Sequence, residues 1–362
     1  MKSLPRKPNL EFLKKEAKAL RALHKRADPA CCEQIRYYDF SLKTKSDSEI
    51  LATRFSINDA QRIIARKYGY TSWATLKRYI EALDSPLYHG VSDKAAYQKL
   101  VADSYDKRAA VYDDHVWARE WCMQLVELCP PSAGEKILDA GCGSGTIPFL
   151  IAEKVGPSGG IIGVDIAHAM IARCNEKLKD TSFTNLKFES GDVEQLDYPA
   201  NSFDRIYASS ILPWLENPQA ALRHWCELLK PGGWIGLTVW PSNSFVWGDG
   251  ERQALSKYGI ELTVHEFSGT RDKTYQLMEL AGYSNIMINV VERGRWMPAE
   301  SLKGTFSSGA YAIGQYPDPL ENVPEEILQK ANQDYWAEVD RQTTEQGVWH
   351  DMTTFYVCAQ KI

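Results

Sequence analysis

The chain has 362 residues, 44% hydrophobic and 25% charged, with a formal net charge of −5. That length supports two or three compact units with their own cores. The absence of any run of about 18 apolar residues argues against a membrane-spanning helix. Eight cysteines occur without a Cys-x-x-Cys pair, a pattern of reduced cytoplasmic usage, and no metal site is expected. Met1-Lys2-Ser3-Leu4-Pro5-Arg6 lacks the apolar core of a secretory signal, so a cytoplasmic location is expected.

The charge is uneven. Residues 1–83 hold 18 Lys+Arg against 9 Asp+Glu, a balance of +9, which leaves −14 for the remainder. Such asymmetry points to separate units. Leu10, Leu13, Ala17, Leu20 and Leu23 form a helical stripe. Ser56 caps a helix expected to run to Tyr68, with Gly69 as its C′ residue. Thr71-Ser72 then caps a helix with the stripe Trp73, Leu76, Ile80 and Leu83. The vicinal pair Cys31-Cys32 reads as a chance doublet rather than a soft-metal site. Residues 84–100, with Pro86 and Gly90, read as a linker.

From residue 101 apolar strand patterns alternate with helical ones, as in a doubly wound α/β sheet. Tyr105, Ala109 and Tyr112 share a helical face. An apolar strand then runs into Asp139, followed by Gly141, Gly143 and Gly145 and a helix over Ile147–Ile151. A second strand, Ile161–Val164, ends in Asp165, placed to accept both hydroxyls of a ribose. This is not the Gly-x-Gly-x-x-Gly dinucleotide fingerprint, because the third glycine comes one residue early. Asp139 also disfavours a phosphate, whereas a sulfonium and an ammonium welcome an anion there.

Further strands are expected at Leu186–Glu189, Phe203–Ser209, Trp234–Trp240, Ser284–Glu292 and Met352–Gln360. Gly191-Asp192-Val193 follows the third, and Leu228-Leu229-Lys230-Pro231-Gly232-Gly233 feeds the fifth. A helix is expected from Pro324 to Arg341.

With these residues in order, the region from about residue 100 to 362 resembles class I S-adenosylmethionine-dependent methyltransferases, especially the small-molecule group that includes the ubiquinone and menaquinone enzymes. The resemblance implies a mostly parallel seven-stranded sheet. It implies that Gly141, Gly143 and Gly145 border the methionine half of the cofactor, with Asp139 supporting its amino group. Asp165 would hold the ribose, and Ile166 and Met170 would flank the adenine. Asp192 and the Val193 N–H would meet the adenine edge, and Ser209 would lie beside the methyl. Tyr105 or Tyr112 would cap the sulfonium. It also implies that residues 297–350 roof the substrate pocket.

Plainer readings stay open beside these. Asp192 also suits a turn or N-cap, Met170 and the two tyrosines also suit packing, and Ser209 also suits a strand end. Many relatives carry histidines near positions 213–214, where this chain has Pro213 and Trp214. That departure leaves His265 as a weak candidate base. Trp214, Trp240 and Trp247 fall where open α/β sheets bind ligands and suit either a flat apolar acceptor or core packing. Leu51–Leu83 resembles a small helical region found ahead of ankyrin-repeat and other bacterial domains, which implies no activity. Residues 1–83 are read as a docking or oligomerisation unit.

The expected function is methyl transfer from S-adenosylmethionine to a small molecule. Two rivals share the donor pocket: a cyclase or isomerase reusing the fold, and a non-enzymatic cofactor sensor. Nucleic-acid methylation is disfavoured, since neither Asn/Asp-Pro-Pro-Tyr/Trp nor a Pro-Cys pair is present.

Overall fold

A computed structural model describes residues 9–39, 42–68, 73, 76–77, 80, 92–114, 116–241, 246–262, 268–302 and 316–362. The chain divides into two compact units, Met1–Pro86 and Leu87–Ile362.

The first unit is helical: α1 Leu10–Lys25, α2 Cys32–Tyr38, α3 Asp47–Ala52 and α4 Ile57–Lys67. Asn9 caps α1. Ser46 with Glu49, and Ser56 with Asp59, form reciprocal capping boxes that satisfy otherwise orphaned N–H groups. The Ser56 cap is the one expected from sequence, and Tyr68 closes the helix. Gly69, Thr71, Ser72 and Leu83 lie outside the described residues. Leu13, Ala17 and Leu20 of α1 are buried, as are Ile63 and Ile64 of α4, and the two helices pack together. Lys67 and Tyr68 both reach Glu16, at 2.8 and 2.7 Å. Cys31 and Cys32 are buried free thiols, and burial pushes the Cys31 pKa up to about 11.

The second unit opens with α5, Lys94–Asp106, so its first turns fall within the stretch read as linker. A 3-10 turn at Ala109–Asp114 and α6, Val116–Leu128, follow. Seven strands then form one sheet: β1 Lys136–Ala140, β2 Gly160–Asp165, β3 Leu186–Ser190, β4 Phe203–Ser209, β5 Leu229–Val239, β6 Tyr283–Val291 and β9 Thr354–Lys361. Their order is β3-β2-β1-β4-β5-β9-β6. The first five are mutually parallel and β9 runs antiparallel to both neighbours. This is the mostly parallel, doubly wound sheet expected.

Helices α7 Thr146–Val155, α8 His168–Lys179, α9 Pro218–Leu228 and α11 Arg271–Leu280 connect or flank the strands. Because the sheet is covered on both sides, its strands are apolar nearly throughout. Leu138, Ile206, Leu237 and Val357 enter one core and Ile137, Tyr207, Tyr356 and Cys358 the other. On the side of the second core the buried Arg205 pairs bidentately with Glu135 at 2.9 and 3.0 Å.

Two boundaries differ from expectation. Strand β5 starts at Leu229 rather than Trp234, because Leu229 already pairs with Phe203 before a register shift admits the Pro231–Gly233 turn. The last strand begins at Thr354 rather than Met352. A separate two-stranded antiparallel ribbon, β7 Gly294–Met297 with β8 Val348–Asp351, joins segments far apart in the chain and has no counterpart in the sequence expectations. It packs with α10, Val246–Ser256, and α12, Glu325–Gln342, around Ala254, Tyr335, Val339 and Val348.

Candidate active site

The turn from β1 into α7 is the centre of the site. Gly141, Gly143 and Gly145 all have positive φ, 75°, 52° and 86°. A Cβ at Gly141 would lie 2.7 Å from Ile211 Cδ1, and one at Gly145 would lie 3.0 Å from Phe149. Glycine is therefore required at both by backbone conformation and by space. The N–H groups of Gly141 and Cys142 both donate to the Val164 carbonyl, at 2.8 and 3.0 Å, which fastens the turn to β2.

Two carboxylates face this turn. Asp139 is buried, and its Oδ1 has no hydrogen-bond partner. Burial first, and the neighbouring Asp165 second, hold its pKa well above the usual carboxylate range. Asp165 Oδ2 accepts from Gly143 N–H at 2.8 Å and Oδ1 from Ala167 N–H at 2.9 Å. Its pKa is also raised, by burial opposed by those N–H groups. The unpartnered Asp139 suits a cationic ligand and disfavours a phosphate at the turn, while Asp165 suits ribose hydroxyls.

Aromatic rings stand over the turn. Tyr105 packs edge-on against Tyr112 and Trp214, at 6.0 and 5.2 Å between centroids. The Tyr112 ring is the nearest neighbour of a Cβ built on Gly143. The Arg108 guanidinium lies 4.3 Å from the Tyr105 centroid, so a cation already occupies one face of that ring. The turn that carries Tyr112 is clamped down by Asp113, which accepts from Arg173 at 2.7 Å, from Lys177 at 3.3 Å and from the Ser144 hydroxyl. Asp106 accepts from the Ala169 N–H at 2.8 Å. Met170 is fully buried with Ala109 and Ala167, against Tyr105 and Tyr112, and Ile166 is half-buried.

The third loop is tied to α5. Asp192 Oδ1 accepts from Glu194 N–H at 2.9 Å, the turn role left open by the sequence, while its Oδ2 accepts from Gln98 at 2.8 Å. Lys94 Nζ lies among Asp192, Glu194 and Glu216, at 3.3, 3.6 and 3.2 Å. Val193 is buried and its carbonyl accepts from Trp225 Nε1.

At the end of β4, Ser209 Oγ lies 3.2 Å from Thr238 Oγ1 and receives the Cys122 thiol at 3.8 Å. Ser210 has φ +60°, uncommon for a residue with a side chain, and its N–H donates to Thr238 Oγ1 at 2.7 Å. Trp240 packs against Trp121 with centroids 5.2 Å apart. The structure thus brings Tyr105, Tyr112 and Trp214 together over the turn, while Trp240 belongs to a second aromatic group. His265 and the Trp247 side chain lie outside the described residues. Among the described residues no cluster of metal-ligating side chains occurs, and no helix is long and apolar enough to cross a membrane.

Sequence reasoning missed Arg108, Asp113, Cys122, Ile211, Thr238 and Tyr356. Arg108 and Asp113 share a segment with the two tyrosines, a signal available in the spacing. The others are single apolar or small polar residues on strands and helices, and only the sheet order reveals what they face.

Residues 131–241 match the family model for a methyltransferase domain. Aklanonic acid methyltransferase from Streptomyces sp. (strain C5) is 32% identical over 146 residues, 40% of this chain and 66% of that protein. Nocamycin O-methyltransferase from Saccharothrix syringae is 33% identical over 136 residues, 37% of this chain and 49% of that protein. Demethylmenaquinone methyltransferase from Listeria welshimeri is 29% identical over 133 residues, 37% of this chain and 56% of that protein. The chain therefore spans between about half and just under two thirds of the length of these relatives. The matched stretch runs from just before β1 to the end of β5 and carries the three-glycine turn, Asp139 and Asp165, so the similarity to methyltransferases falls on the candidate site itself.

Proposed function

We propose that the protein transfers a methyl group from S-adenosylmethionine to a small, flat or apolar metabolite. The observation that carries this reading is the buried, unpartnered Asp139 Oδ1 at the mouth of the three-glycine turn, with Asp165 beside it. The relatives that match act, by their names, on aklanonic acid, nocamycin and demethylmenaquinone, which supports a small-molecule acceptor. The bound cofactor supplies an electrophilic methyl on a positively charged sulfur, taken by a lone pair of the acceptor as the carbon–sulfur bond breaks.

In this reading Asp139 neutralises the ammonium of the methionine half, and Gly141, Gly143 and Gly145 let that half lie against bare backbone. Each Asp165 oxygen keeps a lone pair after accepting one backbone N–H, and these lone pairs take the ribose hydroxyls. Ile166 and Met170 flank the adenine, and Asp192 with the Val193 N–H reads its edge once Gln98 gives way. Ser209 borders the methyl. Tyr105 and Tyr112 exclude water and keep the reacting atoms aligned, the contribution the described residues can make to an in-line transfer. Burial foremost pushes the Tyr112 phenol up to about 12, so it stays protonated at neutral pH and serves as a hydrogen-bond donor. Residues 1–83 serve as a docking or oligomerisation unit, and the cytoplasm is the proposed location.

The test is turnover. Full-length protein with methyl-labelled S-adenosylmethionine and a panel of hydroxylated aromatics should yield S-adenosylhomocysteine with label in the acceptor. Product formed by rearrangement without S-adenosylhomocysteine would favour a cyclase or isomerase instead.

A further inference from the structure

We infer that the sheet face beneath α6 holds an acceptor seat whose far wall is Tyr356, and that the acceptor is a planar aromatic molecule carrying a neutral hydrogen-bonding substituent. The inference rests on the methyltransferase reading and names its substrate class.

Tyr356 lies on β9, is fully buried, and has a hydroxyl without a hydrogen-bond partner. It stands directly opposite Thr238, and Thr238 stands opposite Ser209. Asp139 stands opposite Tyr207, two residues before Ser209. Residues directly opposite on paired strands share a face, as do residues two apart on one strand. Ser209, Thr238 and Tyr356 therefore make one polar row across β4, β5 and β9, and Asp139 lies on the same face of β1, two residues lower along the strands. Helix α6 packs over it, and Cys122 reaches down to Ser209. Ser209 and Thr238 bond each other or their neighbours. Asp139 Oδ1 and Tyr356 Oη, at the two ends, do not.

Buried polar atoms without partners are unfavourable, and two of them on one face beside the glycine turn suit groups that arrive from outside. A phenylalanine at 356 would fill nearly the same volume without that cost. The two ends ask for different chemistry. Asp139 is a carboxylate and takes the cationic methionine half of the donor. Tyr356 is a neutral phenol and suits a hydroxyl or carbonyl. Its surroundings are apolar and aromatic: Trp121 and Trp240, in ring contact, belong to the same packed cluster, with Val291 and Met352. Three strand spacings across the sheet and a two-residue rise along it separate the ends, about 16 Å. Of this span, the two spacings from Ser209 to Tyr356, roughly 10 Å, match the length of two or three fused rings. Ser209 and Cys122 then stand where donor and acceptor meet.

The test uses the full-length protein saturated with S-adenosylhomocysteine, and equilibrium dialysis of 2-naphthol and of naphthalene. Wild type should bind 2-naphthol about tenfold more tightly than naphthalene, the worth of one buried hydrogen bond. Tyr356→Phe should bind both alike, losing that factor for 2-naphthol only, with unchanged affinity for S-adenosylhomocysteine. Equal affinity of the wild type for the two probes, or binding of neither, overturns the inference even if the variant does not fold. Retained discrimination in Tyr356→Phe makes the tyrosine a packing residue and overturns it as well. In each of these cases intact S-adenosylhomocysteine binding leaves the methyltransferase reading standing, whereas its loss in the wild type removes both.

Discussion

Asp165, at the end of β2, accepts a hydrogen bond from the backbone N–H of Gly143 at 2.8 Å, so the carboxylate proposed to hold the cofactor ribose also holds the glycine turn in place. Asp165→Ala should weaken S-adenosylmethionine binding by roughly 1.5–3 kcal/mol, the usual worth of hydrogen bonds to a charged group. Calorimetry on the folded variant checks this, and unchanged affinity would remove Asp165 from the ribose site.

Gly141→Ala should disable the turn. A left-handed conformation costs an L-residue about 1–2 kcal/mol, and the new Cβ would press against Ile211 at 2.7 Å. The expected outcome is a lowered melting temperature with loss of cofactor binding. Gly156→Ala makes the control. Its φ is also positive, but the nearest neighbour of a new Cβ is 3.9 Å away, so only the backbone penalty applies.

Asp139 gives a pH signature. Folding raises its pKa above the ordinary 3.8, so its favourable contribution is complete only below that value and is lost as pH rises through the raised one. Asp139→Asn should therefore raise the melting temperature of the ligand-free protein at neutral pH, with the gain shrinking toward about pH 4. The same variant should bind S-adenosylhomocysteine more weakly, because the ammonium loses its counter-charge. Scanning calorimetry across pH, together with titration at neutral pH, measures both. A variant that is less stable at neutral pH and binds normally would contradict the assignment.

Tyr105 separates cover from chemistry. Tyr105→Phe should keep cofactor binding, and slow turnover only if its hydroxyl orients a reactant. Tyr105→Ala should impair both, since the ring supports Tyr112, Trp214 and Arg108 over the turn. Normal binding and turnover in the alanine variant would make Tyr105 a packing residue.

The sequence carried the sheet because strand and helix periods alternate cleanly from Lys136 to Val239, and because the glycine turn fixes where the first crossover begins. It also placed Asp139 and Asp165, whose positions follow directly from strand ends. Other features depend on distance along the chain being undone by folding. Gln98 meets Asp192 from 94 residues away, and Arg205 bonds Glu135 from 70 residues away. The Leu229 start of β5 was hidden because Pro231-Gly232-Gly233 reads as a turn, and the register shift lets the ladder begin before it. Tyr356 looked like any strand aromatic until the sheet order set it opposite Thr238.

The most direct test of the account is parallel titration of the full-length protein with S-adenosylhomocysteine and with NAD. A turn edged by Asp139 and Asp165 should bind S-adenosylhomocysteine at one per chain, lose it in Gly141→Ala, and give no signal with NAD, whose pyrophosphate meets the Asp139 carboxylate there. Binding of NAD with no response to S-adenosylhomocysteine would contradict the account.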